Sequence, residues 1–191
     1  MKDPAQKSWV EKLPYPAGLM KWLFKSPILL HRMGLGFIVG RLFMILTTVG
    51  RRSGQPRRTV IEFHEFKGRK YIFSGWGTNT DWYRNIEAHP HITIQTWRGA
   101  ERVLAHRLVE DGELAQAFEF AMSNPTMRTV FKSLGFEMTV EQFLAQRERF
   151  TFVTFDPTDQ STPEPLQPDL VWLWLVPLLG LAAFLLLEIV S

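Results

Sequence analysis

Four arginines, Arg51, Arg52, Arg57 and Arg58, fall within one stretch of eight residues. Ser53 and Gln55 lie between them, with Gly50 and Gly54 to turn the chain. An apolar, β-branched run at 42–49 precedes them and a second one at 59–63 follows, so the arginines are expected on a β-hairpin. Guanidiniums gathered at a strand end, beside free loop amides, suit a phosphate or a polycarboxylate, which arginine grips with paired charged hydrogen bonds. The competing reading is a solvated basic loop.

Other chemistry has little support. The chain has no cysteine, so thiolate nucleophiles, disulfides and Cys-ligated metals are excluded. His89 and His91 flank Pro90 without a third ligand nearby, and no metal site is assigned. No serine stands in a nucleophile-elbow sequence, no Gly-x-Gly-x-x-Gly follows a strand, and no catalytic residue is nominated.

The elements that must carry the arginine loop are legible from periodicity. Strands are expected at about 42–49, 58–64, 69–74, 91–97, 101–109 and 149–155. One helical turn is expected at Trp82-Tyr83, and helices at 111–122, 125–134 and 139–148, the last opened by a Thr139/Gln142 capping box. Strands joined by hairpins rather than by regular crossover helices predict an α+β protein built on an antiparallel barrel. Residues 1–40 form an N-terminal segment with an amphipathic helix from 17 to 26, which Pro27 is expected to interrupt. That helix either covers the barrel or lies on a bilayer.

Two motifs carry a family resemblance. Residues 47–57, Thr-Thr-Val-Gly-Arg-Arg-Ser-Gly-Gln-Pro-Arg, are followed by Ser74-Gly-Trp-Gly-Thr-Asn-Thr-Asp-Trp-Tyr-Arg-Asn-Ile86 and then by Ala88-His-Pro90. Together they resemble the deazaflavin-dependent nitroreductase family of the split β-barrel flavin/deazaflavin oxidoreductase superfamily. The resemblance covers roughly residues 20 to 155. It implies a split barrel over 41–155 that binds the deazaflavin coenzyme F-420, with flavin mononucleotide, haem or no cofactor as the alternatives. By resemblance Arg51, Arg52, Ser53 and Arg57 hold the phosphate-bearing tail, and Ser74, Gly75, Trp76 and Gly77 approach the ring. Trp82, Tyr83 and Asn85 shape the substrate pocket or, alternatively, are core residues that fix the loop. Nitroaromatic-reducing members place tyrosines on the C-terminal helices. Here Phe118, Phe120, Phe131, Phe136 and Phe143 populate that region, which predicts a greasy mouth for a quinone or another lipophilic substrate.

The chain's tail is different in kind. Residues 156–168 hold four prolines among polar residues and read as a semi-extended linker. Residues 170–187 are then eighteen without a charge, about 27 Å as a helix, with Trp172 and Trp174 at the entrance. This predicts a single transmembrane anchor over 169–191. All 22 Lys and Arg lie before residue 156, against 14 of the 19 acidic residues, a formal +8 for the body. That charge favours anionic ligands and retention of residues 1–168 on the cytoplasmic side of the cell membrane. No DNA-binding motif accompanies it, so nucleic acid is not expected as a partner. Two functions follow. One is a membrane-anchored oxidoreductase acting on a lipophilic acceptor. The other is a non-catalytic accessory subunit, held among the subunits of a larger membrane complex by its helix.

Overall fold

The computed structural model describes residues 19–74, 77–125, 128–129, 132, 139–147 and 150–190. Six strands close a barrel in the order β1-β2-β3-β6-β5-β4, with every neighbouring pair antiparallel. They are β1 (Phe43–Val49), β2 (Pro56–Phe66), β3 (Arg69–Ser74), β4 (His91–Thr96), β5 (Gly99–Arg107) and β6 (Thr151–Pro157). The sequence periodicity located all six to within two residues at most ends. The antiparallel α+β barrel is as the sequence implies.

Alternation sorts each strand's side chains. Met44 and Leu46 of β1 and Ile92 and Ile94 of β4 point inward. They join Phe63, Ile72, Val103, Val153 and Phe155 in the barrel core. The core is capped by Trp82, Tyr83 and Ile86 of a helix, α3 (Asp81–Ala88), that spans eight residues where one turn was expected. Two helices precede β1. The first, α1 (Leu19–Arg32), runs straight through Pro27, whose buried ring sits inside the helix rather than ending it. The second, α2 (Gly36–Val39), is a single turn.

A second core lies outside the barrel wall. There α4 (Asp111–Ser123) and α5 (Val140–Ala145) pack Leu114, Phe118 and Phe143 against Phe150 and Phe152 beside β6. The Phe118 and Phe143 rings stack at 4.3 Å. The Thr139/Gln142 capping box is formed: Gln142 N donates to Thr139 Oγ1 at 3.3 Å and Thr139 N to Gln142 Oε1 at 3.0 Å.

The proline-rich stretch does more than space two parts of the chain. It crosses the outer wall of the barrel as a strap. Gln95, facing out of β4, pairs with it like a strand neighbour: Leu166 N donates to Gln95 Oε1 at 2.6 Å and Gln95 Nε2 donates to Leu166 O at 3.0 Å. Gln95 Nε2 also lies 2.9 Å from His31 Nε2, and Thr93 Oγ1 reaches Thr162 Oγ1 at 2.8 Å. Burial holds the His31 imidazole below its ordinary pKa, opposed in part by the Leu166 carbonyl. The strap ends at a bidentate pair, with Arg32 Nε and Nη2 each 2.7 Å from Asp169.

The tail does not support the expected transmembrane anchor. Residues 171–174 wind as a 3-10 turn bound to the body, where Leu170 N donates to Arg32 O at 2.9 Å and Trp174 Nε1 donates to Met33 O at 2.9 Å. The helix proper, α6 (Leu175–Val190), has 16 residues, about 24 Å. Among the described residues no helix is long and apolar enough to cross a membrane. The apolar stretch counted from the sequence includes four residues that the body claims.

Candidate cofactor site

The β1–β2 hairpin places the arginine loop at one end of the barrel, with Val49 opposite Pro56. Gly50 N donates to Gln55 O at 2.9 Å, and Gly54 N to Gly50 O at 2.8 Å. The two glycines are needed for different reasons. Gly54 has φ +65°, the left-handed region. Gly50 has ordinary backbone angles but no room, since a Cβ there would lie 2.8 Å from Ser53 Oγ and 3.1 Å from Gln55 O.

The four arginines do not converge. Arg51 turns inward to α3: its Nη2 lies 2.9 Å from Asp81 Oδ1, and its Nη1 lies 3.1 Å from Asn85 Oδ1. The Arg51 backbone N–H donates to the same Asn85 oxygen at 3.2 Å. Arg57 Nη2 reaches Ser53 Oγ at 3.3 Å, and Arg58 Nη2 reaches the strap at Glu164 O, 3.5 Å away. Successive residues of a strand point to opposite faces, which separates Arg57 from Arg58. Arg52, Ser53 and Arg57 therefore make the exposed face of the loop.

Asn85 is the joint between loop and helix. It is 5% exposed, accepts both Arg51 bonds and donates Nδ2 to Thr48 Oγ1 at 3.3 Å. Thr48 Oγ1 in turn donates to Arg57 O at 3.3 Å. Asp81 and Thr48 carry this joint and were not anticipated. Asp81 could have been noticed as the single acidic residue in the first turn of α3, placed favourably for the helix dipole.

The second motif is partly described. Ser74 is buried, and its hydroxyl donates to Gly77 O at 2.7 Å, closing a turn in which Gly77 has φ +59°. Gly75 and Trp76 lie outside the described residues. Trp82 and Tyr83 pack edge to face, ring centroids 6.0 Å apart, beneath the loop in the barrel core. Tyr83 is 3% exposed, and burial, followed by Glu87, raises its phenol above the usual value while Arg107 opposes the shift. It keeps its proton at neutral pH.

The phenylalanine mouth is corrected. Phe118 and Phe143 are buried against each other, and Phe120 stacks on Phe66 at 4.8 Å. Phe131 and Phe136 lie outside the described residues. Phe118 and Phe143 fill a core with Leu114, Phe150 and Phe152, and Phe120 is half-buried. Another concavity, a cleft of about 370 Å³, lies between the β4–β5 ladder and the strap, lined by Thr93, Arg102, Asp159 and Glu164 among others. Its wall strand β4 neighbours β1, Arg58 reaches its lining residue Glu164 from the loop side, and it mixes both charge signs.

The donors of the loop suit the chemistry of an anionic tail. Residues 50–58 contain guanidiniums, a hydroxyl and backbone amides, and no carboxylate. Nothing lies within 4 Å of the place where a Cβ of Gly54 would stand, so the tip is open. Arg52, Ser53 and Arg57 fit a phosphate or carboxylate group, whereas Arg51 is already engaged.

Among solved structures, the chain is similar to an F420-H2-dependent reductase (FDR-A), at 17% identity over 60% of this chain and 94% of that one, with a TM-score of 0.43. It is similar to an F420 reductase at 20% identity, over 61% of this chain and 86% of that one, with a TM-score of 0.37. It is also similar to a heme-binding protein from Mycobacterium smegmatis at 14% identity, over 64% of this chain and 49% of that one, with a TM-score of 0.43. The model of the family described as F420H(2)-dependent quinone reductase matches residues 31–134, more than half of the chain and inclusive of both motifs. The chain belongs to the F420H(2)-dependent quinone reductase family.

Proposed function

We propose that this chain reduces a quinone or another lipophilic acceptor at a membrane face, using reduced coenzyme F-420, with the body on the cytoplasmic side. The observation that carries the reading is the open, carboxylate-free donor set of Arg52, Ser53 and Arg57 inside the region matched by the family. When bound, the reduced deazaflavin supplies the hydride. The protein's part is binding and placement. Arg52, Arg57 and the Ser53 hydroxyl hold the anionic tail, and Arg51 fixes the loop on α3 through Asn85. Ser74 and Gly77 set the turn on the ring side. The body's formal +8 suits both an anionic cofactor and an anionic bilayer.

Titration with oxidised F-420 followed by fluorescence, then anaerobic turnover of its reduced form with a menaquinone analogue, tests this reading. Saturable binding with quinone-dependent oxidation is expected; no binding would overturn it. A second reading has one observation in its favour. Phe118 and Phe143 are packed shut against each other, which suits a non-catalytic accessory subunit. Binding without turnover on any lipophilic acceptor would favour that alternative.

A further inference from the structure

Outside the tail, the large apolar side chains that the described residues leave exposed are few, and four of the six lie at one corner. Phe37 and Ile38 belong to α2, Leu42 stands just before β1, and Trp97 is in the β4–β5 turn. Phe37 and Leu42 are 62% and 64% exposed. The corner is a single built unit. Trp97 N donates to Gly40 O at 3.1 Å, and a Cβ on Gly40 would come within 2.4 Å of Trp97 N, so only glycine lets the two segments meet.

The corner is also basic. The Arg41 guanidinium lies 5.3 Å from the Trp97 ring centroid and that of Arg98 lies 5.1 Å from it. No acidic residue occurs in 33–42 or 96–98. Glu65 accepts from Arg98 Nη1 at 3.0 Å, which moderates one of the two charges. The corner is joined to the root of the apolar tail as well. Val171 Cγ2 lies 3.2 Å from the place of a Cβ on Gly34, and Trp174 is bound to Met33 O.

We propose that this corner is a bilayer-contact surface, at which Phe37, Ile38 and Leu42 enter an anionic membrane while Arg41, Arg98 and Trp97 sit among its headgroups. Charge complementarity selects the partner: exposed apolar side chains ringed by arginine, with a tryptophan between guanidiniums, match the layered chemistry of a lipid interface. The adjacent tail, with Leu175, Val176, Leu178, Leu179 and Leu181 exposed, extends the same contact. The inference rests on the membrane part of the reading above and not on its cofactor part.

Co-sedimentation of the full chain with phosphatidylcholine vesicles, with and without phosphatidylglycerol, tests it. The wild type is expected to bind the anionic vesicles more tightly, with the preference falling as salt rises. Arg41→Gln should lose roughly fivefold on anionic vesicles only. The double variant Phe37→Ser/Ile38→Ser should lose roughly tenfold on both kinds. These side chains are exposed, so both variants should keep the wild-type circular dichroism and melting curve. If the wild type binds neither vesicle, the membrane reading itself fails. Wild-type binding that both variants retain in full would overturn this surface alone. Light scattering that shows a dimer lost in the double variant, with vesicle binding intact, would assign the corner to a second copy of the chain.

Discussion

Two irregular segments lie on the same barrel, and their polar groups are used in opposite ways. The arginine loop, residues 50–55, closes on itself through Gly50 and Gln55 and leaves Arg52, with Arg57 at its foot, facing out. The strap, residues 158–168, is held by side chains of the wall beneath it, Thr93 and Gln95. One segment is self-sufficient in structure and rich in unused donors. The other depends on the sheet to satisfy its backbone. Surplus donors on a rigid loop mark a place for a ligand, while satisfied amides on an extended segment mark a cover.

The sharpest way to break the contrast is Asn85→Ala. It removes the acceptor of two Arg51 bonds and the partner of Thr48 in a buried place, which should cost about 2–3 kcal/mol. In a chain of this size that lowers Tm by roughly 5–10 °C. A melt unchanged within error would show that the loop does not need α3. Next in size, Arg51→Ala should lower Tm and F-420 affinity together, because the side chain holds the loop to α3. Arg57→Ala should weaken affinity about tenfold, equivalent to roughly 1.5 kcal/mol, and leave the melt alone. Equal effects of the two on affinity and melt would erase the division between the positioning arginine and the ligand-facing one.

On the strap, Gln95→Leu should cost about 1 kcal/mol for each bond to Leu166 and raise amide exchange at residues 158–168 without touching cofactor affinity. The smallest effect is with pH. Burial holds His31 below the ordinary imidazole pKa, so the unfolded chain takes up the proton first. Stability contributed by neutral His31 is intact above about pH 6.5 and declines as pH falls toward the lower folded value. His31→Gln should flatten that part of the stability profile, as followed by denaturant midpoints across pH.

The barrel was legible because its information is local. Runs such as Phe43–Val49 and Thr151–Pro157 are β-branched and apolar, with turn residues on either side. The Thr139/Gln142 capping box was readable for the same reason, since its partners are three residues apart. The arginine loop was readable as a cluster, but the division of labour within it was not. Nothing near Arg51 in sequence points to Asn85, 34 residues on. The strap was missed because its bonds to Thr93 and Gln95 span 69 to 71 residues and run from side chains, which leaves no periodic trace. The expected lipid span finds no support because hydropathy cannot see that Leu170 and Trp174 are tied to the body. Phenylalanines in α4 and α5 likewise read as a mouth or as a core, and only their stacking decides.

The pair between Arg32 and Asp169 has a consequence in time. Its partners are 137 residues apart in a chain of 191, so the contact closes most of the chain into a ring. Contacts of such separation are slow to form, because the entropy of a long loop must be overcome before they add stability. α1 and the barrel wall have to stand before the strap can be laid across them. In hydrogen exchange the strap and the 171–174 turn should therefore open as one unit at a lower free energy than the six strands. For part of every opening the outward faces of Thr93 and Gln95 meet water.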